Sequence, residues 1–192
     1  MGARRTIEIV EPNTSWPQAF EAIAEDLGAA LGDAALRIDH IGSTAVPGLP
    51  AKDVIDVQAT VRSLDEVSAF VSTLAEMGFE QPVELARDHV PAGGSDLPED
   101  WQKRFFKAQE SDGRGINLHV RVAGRANQRY PLLFRDYLRS HPSVAAGYAE
   151  IKRQLARHGA EDWELYYDVK DPVCDIIMAA AEAWAKCTGW TV

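Results

Sequence analysis

The spacing of apolar residues divides the first part of this chain into one helix and two short strands. Apolar residues recur at helical spacing over residues 15–31, and Ser15 as N-cap with Pro17 in the first turn indicates where this helix begins. A short apolar run over residues 35–41 and the alternating, β-branched run Val54–Val61 predict the strands. The glycine- and proline-rich segment between them is typical of a turn.

Beyond the second strand, the pattern predicts a helix, three strands and then a helical region. Residues 63–77 are amphipathic, with Ser63 and Glu66 in the positions of a capping box. The remaining segments form three predicted strands (79–90, 103–108 and 116–122) and three predicted helices (129–140, 143–157 and 168–187). This order predicts one α/β domain, of the α+β kind, over residues 1–192. It has a small mixed sheet, helices packed against it and a helical C-terminal third.

Charge is distributed unevenly along the chain. The net charge of −9 argues against nucleic acid as a partner. Residues 101–157 contain 12 Lys and Arg but only 4 Asp and Glu, so this segment carries +8 and the rest carries −17. The basic segment is explained equally well by a local anion site and by solvated helix faces that carry arginine.

Cysteine content and hydropathy predict a cytoplasmic protein. Cys174 and Cys187 are the only cysteines, and they have no zinc-ligand spacing, so ordinary thiols of a reducing compartment are expected. The N-terminus has no apolar region typical of a signal peptide. No stretch of 18 apolar residues occurs, so we expect no membrane partner.

A turn followed by a carboxylate carries the clearest chemistry in the sequence. Gly42 and Ser43 follow the first predicted strand, and Asp56 lies within the second. Glycine lets the backbone approach a bound group, and Ser43 and Thr44 offer N–H groups and a hydroxyl to phosphate. An acid on the neighbouring strand is where Mg²⁺ can bridge protein and nucleotide. The alternative is a tight turn with a capping serine and an aspartate bonded to backbone.

The segment HIGSTAVPGLPAKDVID at 40–56, together with several others, resembles the GrpB family. The similarity covers nearly the whole chain, and this segment is the most specific. The other matching segments are NLHVR at 117–121, LLFRDYLRSHPSVAAGYAEIKRQLA at 132–156 and YYDVK at 166–170. AKDVID, WQKRFF and NLHVRVAG most resemble GrpB domains that are fused to actinobacterial dephospho-CoA kinase. This chain has no Walker-type loop, so it would be a free-standing relative.

The resemblance implies a nucleotidyltransferase-type fold, in which Gly-Ser anchors phosphate and three carboxylates hold two metal ions. Gly42 and Ser43 match the anchor, and Asp56 matches the first carboxylate. Gln58 stands where the second carboxylate is expected, and the later strand offers His119 in place of the third. With so little negative charge, one Mg²⁺ or Mn²⁺ ion at Asp56 and His119 fits better than two.

Two further candidates concern the metal and the acid–base chemistry. His40 either shares the pocket of His119, as a metal ligand or acid–base partner, or only bonds the turn. Asp53 is a possible second acid, but it lies three residues before Asp56. On one strand the two side chains would point to opposite faces.

Four basic residues are candidates for phosphate contacts. Lys52 lies inside the most specific segment, and Arg121 shares strand parity with His119. Arg104 can bind phosphate bidentately, and Lys170 can reach the pocket from the last helix. Each of the four has an ordinary structural role as its alternative.

Three functions fit these residues. The first is nucleotidyl transfer from an NTP to an unknown acceptor, with Asp56 and His119 as the catalytic residues. The second is non-catalytic binding of a nucleotide or another phosphate-bearing small molecule in aid of a partner, which Gln58 in place of an acid favours. The third is metal-assisted hydrolysis at His40, His119 and Asp56.

Overall fold

The computed structural model describes residues 6–192 and has a four-stranded mixed sheet at its centre. The strands, in the spatial order β1-β2-β4-β3, are β1 (Arg37–Ile41), β2 (Val54–Val61), β3 (Arg104–Gln109) and β4 (Gly115–Val122). The central pair, β2 and β4, is parallel, and the outer strands are antiparallel to their neighbours. The predicted mixed sheet is confirmed.

Helices cover the sheet and form the last third of the chain. They are α1 (Trp16–Leu31), α2 (Val71–Glu76), α3 (Ala126–Ser140), α4 (Pro142–His158) and α5 (Trp163–Thr188). One buried cluster joins α1 and α2 to the sheet through Leu27, Ile55, Val57, Leu74 and Phe106. A second joins α3, α4 and α5 through Leu133, Leu138, Tyr148, Ile177 and Ala181. Among the helices of residues 6–192, none is long and apolar enough to cross a membrane.

The pleat of β2 separates an apolar face from a polar one. Ile55, Val57, Ala59 and Val61 pack into the cluster with α1 and α2. Because successive side chains alternate, the residues between them point to the other face. Register places Asn117, His119 and Arg121 of β4 beside Asp56, Gln58 and Thr60 of β2. Phe105 of β3, which pairs with His119, and the preceding Lys103 extend this surface, which we call the polar face.

The segment from 63 to 103 departs most from the prediction. The expected helix over 63–77 is split into a 3₁₀ turn (Glu66–Ala69) and α2, with Phe70 at φ −110° and ψ −5° between them. The Ser63 hydroxyl bonds the nearby N–H of Asp65, so no capping box forms. The strand predicted over 79–90 was wrong, since this segment has only isolated bridges and a short 3₁₀ turn.

α1 begins where it was predicted, with Ser15 in the N-cap position, whereas α5 begins earlier than predicted. The side chain of Ser15 does not cap α1; its hydroxyl accepts a bond from Arg114. The helix α5 begins at Trp163, five residues before the predicted start, because the Asp162 side chain accepts the N–H of Leu165 and caps it. The two cysteines are free, with Cys174 buried and Cys187 exposed on this helix.

Candidate functional site

The turn after β1 presses its backbone against Asp56. Gly42 has φ +71° and ψ −169°, a region that essentially only glycine occupies. A Cβ added there would lie 2.3 Å from Oδ2 of Asp56, far inside van der Waals contact. Ser43 follows Gly42 in the chain, and Asp56 lies against Gly42 in space, so one glycine contacts both residues. Glycine is therefore required here for both its conformation and its lack of a side chain.

Hydrogen bonds from α3 and from the turn itself hold this backbone in place. Thr44 donates its hydroxyl to the carbonyl of Val54 at 3.1 Å, and Arg139 donates twice to the carbonyl of Ala45, at 3.0 and 2.7 Å. Arg135 donates to the carbonyl of His40 at 2.9 Å. The Thr44 side chain is buried and bonded, so it holds the turn, and only the backbone N–H of Thr44 remains as its predicted contact with phosphate.

A lysine that the sequence analysis missed contacts the serine. Lys152 of α4 donates from Nζ to Oγ of Ser43 at 2.8 Å and to the carbonyl of Pro50 at 2.7 Å. It is only 2% exposed, and both partners are neutral oxygens. Burial lowers the pKa of Lys152 to about 7, and the positive charges of Lys170 and Lys52 also lower it. A buried cation with neutral partners is costly unless an anion arrives to pair with it.

The sequence did contain a signal for Lys152. The buried residues of α4 include Ala145, Tyr148 and Ala149, at helical spacing along one stripe. Lys152 occupies the next position of that stripe, where an apolar residue is the rule. A lysine on the buried side of a helix can therefore be identified from the pattern alone, and it indicates a functional site.

Asp56 is accessible, and its charge is stabilised. Its side chain is 26% exposed, and Oδ1 accepts a hydrogen bond from Asn117 at 2.8 Å. Burial raises the pKa of this carboxyl, but the contacts with His119 and Asn117 and the charge of Lys52 outweigh burial and lower it overall. The acid is therefore ionised at neutral pH and open to a ligand or cation.

His119 and its neighbours form a charged network on the polar face. Nε2 of His119 lies 3.9 Å from Oδ1 of Asp56, while Nδ1 lies 3.1 Å from Arg121 and 3.4 Å from Lys103. Burial lowers the pKa of His119 to about 4, with a further contribution from the charge of Arg121. Asp88 pairs with both cations, and although burial opposes it, their charges hold its pKa well below the usual range. No pattern in the sequence indicates Asp88, since it lies in the irregular segment.

Gln58 and Lys52 lie near the site but have other partners. Gln58 is fully buried, donates to the carbonyl of Gln128 at 2.9 Å and accepts from Arg121 at 2.7 Å. It is therefore engaged and is not a substitute metal ligand. The ammonium of Lys52 lies 4.9 to 5.3 Å from the ring centres of three aromatic residues of α5, Trp163, Tyr166 and Tyr167.

Lys170 and Asp53 take mainly structural positions. Lys170 pairs with Asp171 at 2.5 Å and lies over the ring of Tyr167, and its charge acts on Lys152. Asp53 accepts hydrogen bonds from Trp16 at 2.7 Å and from Arg114 at 3.0 Å. These bonds hold α1 and the β3–β4 turn, so Asp53 is not a second site acid.

Two predicted site residues lie on the wrong face of the sheet. His40 pairs in register with Val57, which points away from Asp56, and it stacks on Phe20 of α1 at 4.7 Å. Arg104 also points to that face and donates to Ser68 at 3.2 Å. Strand parity therefore excludes His40 as a metal ligand beside His119 and Arg104 as a phosphate contact.

Asp56 and its neighbours offer few ligands to a metal ion. Within residues 6–192, no group of three His, Cys, Asp or Glu side chains is arranged to hold a metal. Asp56 is the acid that lies against Gly42, the residue before Ser43. Mg²⁺ is commonly held by one or two carboxylates together with ligand phosphates and water. The single carboxylate of Asp56 could therefore serve one such ion, but not two.

The sheet and its helices define a nucleotidyltransferase-type fold. The structure of Cid1 in complex with the UTP analog UMPNPP aligns with a TM-score of 0.52 at 15% identity, over 78% of this chain and 43% of that one. Identity at this level concerns the fold alone. Within this class, the chain belongs to the GrpB family: the GrpB protein model matches residues 6–180.

Relatives of known sequence or structure support the same assignment. GrpB from Enterococcus faecalis aligns with a TM-score of 0.73 at 26% identity, over 92% of this chain and 99% of that one. A UPF0157 protein of Halalkalibacterium halodurans is 34% identical over 93% of this chain and 84% of its own length. A dephospho-CoA kinase of Mycolicibacterium paratuberculosis is 36% identical over 98% of this chain, which spans about half (49%) of that relative.

Proposed function

We propose that this GrpB protein binds a nucleotide or another phosphate-bearing small molecule between Ser43 and Asp56. The observation that carries the proposal is the buried ammonium of Lys152, 2.8 Å from the Ser43 hydroxyl. Lysine and serine together offer charge and a hydroxyl to a phosphate oxygen. An anion there would replace neutral partners of Lys152 with an opposite charge.

Nearby charges support an anionic ligand. Lys52 and Lys170 both act electrostatically on Lys152, so three ammonium groups share this region. The negative charge of Asp56 also acts on Lys152, in the opposite sense. Asp171 pairs with Lys170, so Lys52 and Lys152 are the two ammonium groups left to meet an anionic ligand, such as a di- or triphosphate.

One Mg²⁺ or Mn²⁺ ion would be held by Asp56 and by the phosphates of the ligand. Gln58 is engaged with Gln128 and Arg121, so it leaves Asp56 as the protein ligand. An ion bound there neutralises phosphate charge and polarises a phosphoryl oxygen. Ser43 and Lys152 would orient the remaining phosphate oxygens.

Binding without transfer fits this charge inventory best, and nucleotidyl transfer is the second candidate. The accessible carboxylate of Asp56 beside the Gly42–Ser43 turn favours transfer, since the fold class places its first metal carboxylate there. The relatives named dephospho-CoA kinase carry a similar segment in a chain twice as long, which supports an accessory role for the binding module. Metal-assisted hydrolysis at His40, His119 and Asp56 is not proposed, because His40 lies on the opposite face.

Asp56→Asn tests which candidate is correct. Replacing the carboxylate is expected to lower the Mg²⁺-dependent part of ATP binding by about 10- to 100-fold, on the scale of one charge-assisted contact of about 1.5–3 kcal/mol. Calorimetry with and without Mg²⁺ measures it, and pyrophosphate release is assayed in parallel. Asp53→Asn is the matched control, since Asp53 bonds Trp16 and Arg114 away from the site. Pyrophosphate release by the unmodified protein that Asp56→Asn abolishes would establish transfer instead of simple binding.

Arg104→Ala and Lys52→Ala test the assignment of faces. Arg104 points to Ser68 on the far side of the sheet, so its loss should change ATP affinity by less than about twofold, the size of a screened remote charge. Lys52 acts on both Asp56 and Lys152, and its loss should weaken binding by about 5- to 30-fold, on the scale of about 1–2 kcal/mol. Calorimetry at one ionic strength compares the two. Equal effects would contradict the placement.

A further inference from the structure

His119 lies between an acid on one side and two cations on the other. Its Nε2 is 3.9 Å from Oδ1 of Asp56. Its Nδ1 is 3.1 Å from Nη2 of Arg121 and 3.4 Å from Nζ of Lys103. The ring of Phe105 lies 4.8 Å away at a 56° tilt and holds the imidazole plane. One ring nitrogen therefore faces a carboxylate, and the other faces two cations.

The partner of Nδ1 determines where the imidazole carries its proton. A guanidinium has only donors and stays charged in proteins, so Nδ1 of His119 must accept from Arg121. In a neutral imidazole one nitrogen accepts and the other carries the hydrogen, so the proton is on Nε2. The structure thus defines the tautomer through a residue whose protonation does not vary.

Asp88 holds the guanidinium in the orientation that this requires. It accepts from Nε of Arg121 at 2.8 Å and from Nη2 at 2.9 Å, a bidentate pair. It also accepts from Lys103 at 2.6 Å and from Asn127 at 3.0 Å. With one Nη2 hydrogen on Asp88, the other is directed at His119.

We propose that His119 donates a hydrogen bond through Nε2–H to an anionic oxygen of the ligand at Asp56, and that Asp88 is the positioning residue for this donor. At 3.9 Å, Nε2 of His119 lies beyond hydrogen-bond distance of Oδ1 of Asp56. Its N–H therefore remains available to an oxygen of the ligand. Ligation of a metal needs a lone pair on the ring nitrogen, which Nε2 in this tautomer lacks. The site thus has a fixed donor where the fold class places a third metal carboxylate.

The donor role of His119 rests on the proposed function, because it requires an anionic ligand beside Asp56. The tautomer of His119 does not depend on a ligand. Long-range ¹H–¹⁵N correlation spectra of the uniformly ¹⁵N-labelled protein distinguish the two ring nitrogens. We expect a pyridine-like Nδ1 and a pyrrole-like Nε2 for His119, assigned by the signals lost in His119→Gln. His141 is an internal control: its Nδ1 lies 2.8 Å from the carbonyl of Tyr137, which can only accept, so Nδ1 carries the proton. A pyridine-like Nε2 on His119 would overturn the proposal.

Pyrophosphate, added without metal, tests the donor itself. Binding of pyrophosphate should move the Nε2–H signal of His119 downfield. His119→Phe, which removes the donor without adding charge, should weaken pyrophosphate binding by about 10- to 100-fold, the scale of a hydrogen bond to a charged group. If pyrophosphate binds and this signal does not move, the donor role alone is wrong. If it does not bind to the unmodified protein, the proposed function and the donor role both fail, while the tautomer is judged by the spectra.

Asp88→Asn tests the positioning role. Loss of the bidentate pair should release Arg121 and give His119 a mixture of tautomers, a readout that a purely structural role for Asp88 would not change. Asp100→Asn is a suitable control, because Asp100 pairs with Arg125 and Ser95 and makes no bond to Arg121 or Lys103. An unchanged tautomer in Asp88→Asn would show that Arg121 is held without it.

Discussion

Gly42→Ala is expected to destabilise the protein by about 2–4 kcal/mol and to abolish phosphate binding, because it combines backbone strain of about 1–3 kcal/mol with a steric clash. Gly42 occupies a conformation that L residues avoid, and a Cβ would meet Oδ2 of Asp56 at 2.3 Å. Either Asp56 or the turn that carries Ser43 must then move. Thermal and urea unfolding measure the first effect, and calorimetry with ATP and Mg²⁺ measures the second.

Gly48→Ala separates the strain from the clash. Gly48 also has a positive φ, +75°, but an added Cβ would meet nothing within 4 Å. It should cost stability on the scale of left-handed strain alone, about 1–2 kcal/mol, and keep ATP binding. If the two alanine variants lose the same stability and bind ATP equally well, the contact between Gly42 and Asp56 is not what positions the site.

Lys152→Met should reduce ATP affinity by about 100-fold or more, since it removes a buried cation whose hydrogen bond to phosphate is worth about 3 kcal/mol. Methionine is similar in length, and the site at α4 is only 2% exposed, so the stem of the side chain keeps its packing. Arg153→Met is the control: it removes one positive charge from the same helix, where Arg153 pairs with Glu11 at the surface. Similar losses in the two variants would show that only general charge matters.

The same lysine should make binding dependent on pH. With a pKa of about 7, Lys152 is roughly nine-tenths neutral at pH 8, and a bound phosphate raises its pKa, so binding takes up about 0.9 proton. Because the complex binds more protons than the free protein, affinity is highest below about pH 7 and falls as pH rises above it. Calorimetry in buffers of different ionisation enthalpy counts the protons. Lys152→Met, measured with the same ligand, should show no such uptake.

The strands and most helices could be predicted because they depend on local periodicity. β2 was predicted at its observed bounds, Val54–Val61, since β-branched residues alternate there over a full strand. The conformation of segment 79–90 could not be predicted, because it depends on a contact between residues far apart in the chain. Asp88 accepts hydrogen bonds from Arg121, 33 residues later. The single helix expected over 63–77 is split at Phe70, and the hydrophobic periodicity of this segment does not indicate that break.

The site was only partly accessible from sequence. Gly42, Ser43 and Asp56 could be proposed together because turn chemistry and a nearby in-strand acid are both visible in the residues. Lys152 was missed although its place on a buried stripe was visible, and Asp88 left no local sign. His40 was assigned to the site because it precedes Gly42, and Arg104 because a guanidinium can bind phosphate, but each lies on a strand position that faces the other way.

Outside residues 63–103, the sequence by itself determined which segments form strands and helices, and it also determined the turn at Gly42 and the family to which the chain belongs. These features depend on local conformational preference and on long specific segments. Only the tertiary structure decided which side chains meet. Register and pleat parity selected Asn117, His119 and Arg121 for the polar face, and helix packing brought Lys152 from α4 to Ser43, 109 residues away in the chain. Contacts across such separations depend on how elements pack, which local patterns do not encode.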